Sequence, residues 1–256
     1  TMDTYHLSDF FLNLSDNERQ VKNTLQRFLD LIFSDPYKTP TFDEYAMFMA
    51  FNSSVRSADL SRQVGAVISN NQQIISNGAN DVPKFGGGLY WAEKDKYGKV
   101  SDQDLGRDYK RNVDQNKQSQ RNIIENIIKK TKEKKLLTLE DEIEKLKLIL
   151  KESEISDLTE FGRVVHAEME AILACSREGI STRGTTLYCT TFPCHNCAKH
   201  IIASGIVRVV YVEPYPKSKA LEFHDDSIKL QTNLDDDKSV NKVIFEPFIG
   251  VGPRRF

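Results

Sequence analysis

Several large protein classes are excluded by what this 256-residue sequence does not contain. It has only four cysteines, so a disulfide framework is not expected and a reducing, cytoplasmic compartment fits best. No apolar run approaches the roughly 20 residues of a membrane span. No signal-peptide pattern opens the chain. A membrane partner is therefore not expected. Charge of one sign is not in excess either, with 35 Lys and Arg against 37 Asp and Glu. That argues against an extensive nucleic-acid surface, although a local basic groove would not show in the total. The pattern G-x-x-x-x-G-K-[ST] is absent, so the chain carries no P-loop. The opening Thr1-Met2 is not a natural initiation site, which leaves room for an upstream domain. The length suffices for a sizeable core and one or two domains.

What is present concentrates between residues 164 and 205. His166 is followed two residues later by Glu168, and Pro193-Cys194-His195-Asn196-Cys197 comes a strand's length further on. One imidazole and two thiolates make three protein ligands, the number a catalytic zinc takes while keeping a fourth position open. Two cysteines three apart at the start of a helix share one turn. The positive end of the helix dipole favours their thiolate forms. Glu168 is not needed as a ligand and is placed for proton transfer. A structural zinc knuckle or a redox pair is the alternative for an isolated C-x-x-C. A structural site would want a fourth ligand at regular spacing from Cys175, Cys189, His195 or His200. Cys189 lies in a strand-like run and Cys175 at a helix end, which marks both as core residues. His195 and His200 are expected to be exposed or capping.

Taken in order, Ser15-Asp16-Asn17-Glu18 has capping-box spacing ahead of a helix with Val21, Leu25, Phe28, Leu29 and Ile32 on one face. Asp35-Pro36 and Thr39-Pro40 end it. Residues 1–40 are read as a helical extension, and 41–256 as the catalytic domain. A second capping box, Thr41 to Glu44, opens a buried helix reaching about Val55. A polar loop then leads into a hairpin of strands 64–69 and 73–79. The glycine-rich stretch Asn80–Gly88 is either a loop closing over a small ligand or a plain surface loop. Residues of about 92–160 are charged, and isoleucines and leucines recur there at helical spacing. This predicts two amphipathic helices forming an insertion. Helix 166–177, strand 185–190, helix 194–204 and strand 207–213 follow. The last is so rich in valine that burial on both faces is expected. The loop Pro214–Lys219 leaves its carboxyl end, where open α/β sheets bind ligands. Asp235-Asp236-Asp237 reads as a solvated turn and Val243-Ile244-Phe245 as the final strand.

The motif H-x-E … P-C-x-x-C resembles the signature of the zinc-dependent nucleobase deaminases. The order of hairpin, H-A-E helix, strand, P-C-x-x-C helix and strand is similar to the cytidine deaminase superfamily. That resemblance implies an α/β fold, a three-layer α-β-α arrangement with a mixed five-stranded sheet, here carrying a helical insertion. Ser57-Ala58-Asp59-Leu60-Ser61-Arg62-Gln63-Val64-Gly65-Ala66, His166-Ala167-Glu168-Met169 and Cys194 through Lys199 resemble the deoxycytidylate deaminase branch. The insertion, Glu213–Lys219 and the tail Phe248–Arg255 resemble the deaminase half of bacterial anti-phage dCTP deaminases, which carry a kinase-like domain upstream.

The resemblance implies that His166, Cys194 and Cys197 hold Zn2+ and that Glu168 shuttles protons. It implies that Asn80 binds the sugar or phosphate, with Ser57 and Arg62 near the phosphates. An arginine suits that role because its planar fork matches phosphate oxygens. Tyr215, Lys217 and Lys219 are added by position as substrate contacts. The expected reaction is hydrolytic deamination of free dCTP and dCMP, depleting dCTP against phage. A homo-oligomer, an upstream kinase-like domain and a regulatory RNA are the partners to consider. The rival readings are a housekeeping dCMP deaminase, a nucleic-acid-editing deaminase using Phe192, Tyr215 and the Lys129–Lys135 run, and a zinc-stabilised binding module.

Overall fold

The computed structural model describes residues 5, 7–13, 17–136, 139–158, 160–231 and 241–253. The first elements are β1 (Phe10–Phe11), α1 (Glu18–Ile32), α2 (Phe42–Ser54), β2 (Gly65–Asn70) and β3 (Gln73–Ala79). The insertion follows with β4 (Glu93–Lys94), β5 (Val100–Ser101), α3 (Asp108–Arg111), α4 (Gln115–Glu133) and α5 (Glu140–Glu152). The remainder is α6 (Ala167–Arg177), β6 (Thr186–Thr191), α7 (His195–Ala203), β7 (Arg208–Glu213), α8 (Ala220–Phe223), β8 (Ile228–Leu230), β9 (Val243–Pro247) and β10 (Gly250–Val251).

The central sheet runs β3-β2-β6-β7-β9-β8. β2 is antiparallel to β3 and β6, while β6, β7, β9 and β8 are mutually parallel. Alternate residues feed opposite faces. Leu187, Cys189, Val209 and Tyr211 pack with Ala167, Ala171, Cys197 and Ile201 of α6 and α7. Tyr188, Val210 and Val212 pack with Ala46, Met47 and Ala50 of α2. The valine-rich β7 is therefore covered on both sides, as expected for a strand in a three-layer α-β-α sandwich.

The sheet has six strands rather than the five expected. The extra one is β8, an edge strand of three residues that pairs in parallel with β9. Three residues with one buried side chain carry too little alternation to be read from sequence. Helix α1 opens with a capping box at Asn17, whose side chain accepts from the Gln20 amide at 3.0 Å while the Gln20 side chain accepts from the Asn17 amide at 3.1 Å. Ser15, Asp16, the Asp235–Asp237 turn and Arg254–Arg255 lie outside the described residues. The Thr41–Glu44 box forms as expected. Glu44 also receives both Arg27 guanidinium nitrogens at 2.6 Å and the Val251 amide at 2.9 Å. One buried carboxylate thus ties α1, α2 and β10 together. β1 pairs antiparallel with β10, so Phe10 and Phe11 lie against Val251 and Gly250.

The insertion is the expected helical hairpin, with Ile124 of α4 and Ile143 of α5 buried. Ile149, expected in the same seam, is instead 63% exposed.

Two glycines let helices approach the sheet at backbone distance. A Cβ on Gly65 would stand 1.9 Å from the Ala50 carbonyl oxygen of α2. A Cβ on Gly78 would stand 2.2 Å from the Ala167 oxygen and 2.5 Å from the Ala171 nitrogen of α6. Backbone cannot yield there as a side chain would. Gly78→Ala is expected to push α6 off β3 and to cost about 1–3 kcal/mol as overpacking. Because α6 starts beside His166, zinc content should fall with it. Thermal melting and metal analysis on the same sample check both effects.

Candidate active site

The site forms where α6 and α7 begin, at one edge of the sheet. His166 occupies the N-cap of α6 with extended backbone, and its ring makes no capping bond. The imidazole turns instead towards α7, with Nδ1 3.3 Å from both Cys194 Sγ and Cys197 Sγ. Cys194 is the N-cap of α7, and its sulfur accepts the Cys197 amide at 3.4 Å. The sequence thus uses two helix starts, each at its most electropositive end, to face one nitrogen and two sulfurs.

The ligand atoms of His166, Cys194 and Cys197 all lie within 4.8 Å of one another, and among the described residues they form the one such group. Zinc with bonds of roughly 2.0 Å to nitrogen and 2.3 Å to sulfur in tetrahedral geometry would set those atoms roughly 3.5 Å apart. The observed 3.3 Å separations match that within a few tenths of an ångström. Among the described residues no fourth side chain completes the group, as in an open catalytic site rather than a closed structural one. Cys175 and Cys189 are fully buried core residues. His195 is near Glu160, and His200 bonds the Asn196 carbonyl.

Of the three ligand groups, Cys194 is the one held as a thiolate. Cys194 is brought down to about 4, first by its hydrogen bond with Cys197 and then by His166. His166 is raised to about 9, chiefly by its hydrogen bond to Cys194. Burial pushes the Cys197 thiol up. A zinc ion would take both sulfurs as thiolates and the imidazole neutral, displacing protons. Glu168, in the first turn of α6, is 4% exposed. Burial raises its carboxyl, and the neighbouring Cys194 charge adds to that. It is no member of the ligand group.

Beside these residues lies a cavity of about 400 Å³, large enough for a nucleotide-sized ligand. His166, Glu168 and Cys194 line it, together with Arg62, Asn80, Phe192 and Tyr215. Phe192 is held edge-on to Tyr211 at 4.8 Å between ring centres. The Asn80 side chain accepts the Val64 amide at 2.6 Å and donates to the Arg62 carbonyl at 2.7 Å. That leaves one amide hydrogen for a ligand. Arg62 is the sole Lys or Arg among the described lining residues, and it reaches Glu213 at 3.1 Å.

Three residues expected at the site do not line the cavity. Ser57 stands behind Asn80, donating to its carbonyl at 2.6 Å. Lys217 pairs with Asp157 on the outer surface, and Lys219 directly precedes α8. The Lys129–Lys135 run belongs to the insertion hairpin, away from the cavity lining. Of the glycine-rich loop only Asn80 reaches the cavity. Sequence reasoning missed Asp108, Asp114, Asn116 and Gly162, which also line the cavity. They come from the insertion and its return. The usable signal was connectivity: a segment that leaves the end of β3 and returns just before His166 must have its roots beside the site.

Comparison with known proteins agrees with this geometry. The family described as the cytidine and deoxycytidylate deaminase zinc-binding region matches residues 40–213. ComE operon protein 2 of Bacillus subtilis (strain 168) is 51% identical over 54 residues, which are 21% of this chain and 29% of that protein. The deoxycytidylate deaminase of Enterobacteria phage T4 is 51% identical over 55 residues, 22% of this chain and 28% of that one. The aligned segment thus spans under a third of these relatives' length. The dCMP deaminase from cyanophage S-TIM5, solved in complex with dCMP and dUMP, covers 83% of this chain and 100% of its own at 19% identity and a TM-score of 0.45.

Replacing Cys197 by Ser should weaken zinc binding by more than about 100-fold, beyond the 10–100-fold of changes made one layer outside the ligands. Competition with a chromogenic chelator measures this. Retention of zinc at the affinity of the unaltered protein would contradict the ligand assignment.

Proposed function

The chain belongs to the zinc-binding cytidine and deoxycytidylate deaminase family, and we propose that within it the substrate is a free deoxycytidine nucleotide. The reaction is hydrolytic deamination, giving the deoxyuridine nucleotide and ammonia. The observation that carries this reading is a buried Glu168 beside an open His166–Cys194–Cys197 site at the floor of a nucleotide-sized cavity.

The residues divide the work by position. Zinc held by His166, Cys194 and Cys197 would supply Lewis-acid activation of water near neutral pH. Glu168 takes the proton that water gives up and passes it to the pyrimidine ring nitrogen. A second transfer lets the exocyclic amine leave as ammonia. The C–O bond forms at the ring carbon as the C–N bond to the amine breaks. Burial of Glu168 keeps bulk water from competing for those protons. Phe192, fixed against Tyr211, offers an apolar wall for the base. Tyr215 lies opposite with its phenol half-buried. Asn80 presents its remaining amide hydrogen to the sugar, and Ser57 holds Asn80 from behind.

Arg62 is the contact proposed for the α-phosphate, since it sits on the cavity wall half-exposed. Lys217 and Lys219 serve a longer phosphate chain that projects past the rim, Lys217 by exchanging its Asp157 partner. This arrangement favours dCMP as a core substrate and lets dCTP engage the outer lysines. Consumption of dCTP in defence against phage is the physiological reading proposed, with homo-oligomerisation, an upstream kinase-like domain or a regulatory RNA as possible layers of control. Supply of dUMP for thymidylate is the alternative. An editing role on nucleic acid is disfavoured, because Arg62 is the lone lining Lys or Arg among the described residues and a single-stranded substrate needs a basic track. Glu168 argues against a binding module, because a purely structural zinc site has no use for a buried carboxyl beside it.

Ammonia release from zinc-loaded protein with dCMP, dCTP, deoxycytidine and single-stranded DNA tests the substrate class. The nucleotides should react and DNA should not, and activity on DNA alone would overturn the proposal. Glu168→Ala should keep its zinc and lose activity by about 10²–10⁴-fold, the usual contribution of general acid–base transfer. Arg62→Met should raise KM for dCMP by about 10–100-fold, as expected for loss of one charge-assisted hydrogen bond of about 1.5–3 kcal/mol, and leave deoxycytidine unaffected. Steady-state kinetics on the two substrates checks that difference.

A further inference from the structure

We infer that Arg107, at the root of the insertion, is a positioning residue that holds the metal centre and the nucleotide wall together. The insertion is then a working part of the active site rather than an appendage.

The argument begins at Asp81, which is 1% exposed. It sits one residue after Asn80 of the cavity wall. Its main chain pairs in both directions with Val165, Asp81 N to Val165 O at 3.2 Å and Val165 N to Asp81 O at 2.9 Å. Val165 immediately precedes the metal ligand His166. The Asp81 carboxylate accepts the Val82 amide at 2.8 Å and the Ala58 amide at 3.4 Å. Ala58 lies between Ser57 and the lining residue Asp59. One buried residue therefore touches three segments that carry the site, 57–62 and 80–82 through its carboxylate and 164–168 through its main chain.

The insertion supplies its counter-charge. Arg107 is 7% exposed, and its Nε lies 3.0 Å from Asp81 Oδ2. The contact is ionic rather than an aligned hydrogen bond, since Nε finds no properly directed acceptor. Its other nitrogens are directed, Nη1 to Asp102 at 3.3 Å and Nη2 to the Tyr90 carbonyl at 2.8 Å. Arg56 is the second cation facing Asp81, but its guanidinium lies on the Trp91 ring at 3.7 Å and is only half-buried.

The next residue grips the opposite strand. Asp108 accepts Arg163 Nη1 at 2.7 Å, and Arg163 Nη2 donates to the Gly106 carbonyl at 3.2 Å. Arg163 lies two residues before Val165. Residues 106–108 thus clasp both sides of the Asp81–Val165 bridge, Arg107 on one side and Asp108 on the other. Loss of the Arg107 charge leaves Asp81 buried with a weaker partner, which is a costly state. The carboxylate relieves it by moving towards water, and it carries Asn80 and the Val165–His166 junction with it.

The test uses the full zinc-loaded chain and three variants: Arg107→Met, Arg107→Met combined with Asp81→Asn, and Arg27→Met. The last breaks the distant Glu44 pair and serves as a control for general destabilisation. Zinc release to a chromogenic chelator and the visible spectrum of cobalt-substituted protein are read at a temperature where each is folded. KM and kcat for dCMP are read beside them, and only this last arm rests on the deaminase reading. Arg107→Met should release zinc at least about 10-fold faster, the scale of losing a group that orients a ligand. It should also alter the cobalt spectrum and raise KM more than it lowers kcat. The double variant should recover most of each change, because it removes the orphaned Asp81 charge while Asp102 keeps the Tyr109 hydroxyl, and Arg27→Met should match the unaltered protein. A single variant indistinguishable from Arg27→Met in zinc release and cobalt spectrum overturns the inference. So does a double variant no better than the single, insolubility of both included. If the unaltered protein deaminates no deoxycytidine nucleotide, the proposed function falls while the zinc and cobalt measurements still decide the role of Arg107.

Discussion

The arrangement depends on one constraint: an imidazole from the start of one helix and two sulfurs from the start of another must meet within hydrogen-bonding distance. His166 and Cys194 are both N-caps, on α6 and α7. Such positions have extended backbone and a side chain free to turn across the helix end. For the two caps to meet, both helices must begin at the same sheet edge, on the same face. Parallel β6 and β7 ensure that, because a strand–helix–strand unit returns the chain to its starting edge. Gly78 then sets the height of α6 by allowing backbone contact between β3 and the helix. Metal geometry, helix caps and one glycine are thus parts of a single requirement.

Burial of charge explains most of what surrounds that requirement. Glu168, Glu170, Asp81 and Arg107 are each less than a tenth exposed. Charged groups are kept so deep only with partners or for chemistry. Glu170 pairs with Arg177 at 2.5 Å, and Asp81 with Arg107 at 3.0 Å. Among the described residues Glu168 has no Lys or Arg bonded to it; its neighbours are the metal-binding groups. That contrast sets Glu168 apart from the carboxyls that hold the walls, and it rests on environment rather than on residue type.

The parts legible from the sequence were those where chemistry or periodicity is local. H-A-E and P-C-x-x-C state their ligands by spacing alone, and both helices and the intervening strand lie within two residues of expectation. The hairpin of β2 and β3 showed as two apolar runs around Asn70-Asn71-Gln72, where Asn71 and Gln72 indeed take positive φ. What escaped was long-range or short in extent. β8 exists because β9 offers it a pairing edge. Asp108, Asp114 and Asn116 line the cavity because the insertion folds back over the bridge between Asp81 and Val165, residues 84 positions apart in the chain. No local pattern marks such a residue.

The same distinction bears on how substrate choice is encoded. The three metal-binding groups and Glu168 come from two short motifs. The remaining wall is divided between the 57–62 loop and the insertion, whose residues differ in kind: Arg62 on one side, Asp108, Asp114 and Asn116 on the other. The acidic groups there are already engaged, Asp108 by Arg163 and Asp114 by capping α4 through the Lys117 amide at 3.0 Å. They therefore shape the cavity more than they charge it. Arg62 is the one lining Lys or Arg among the described residues, and it is held by Glu213 at 3.1 Å, so an anion entering the cavity must compete with that carboxylate for the guanidinium.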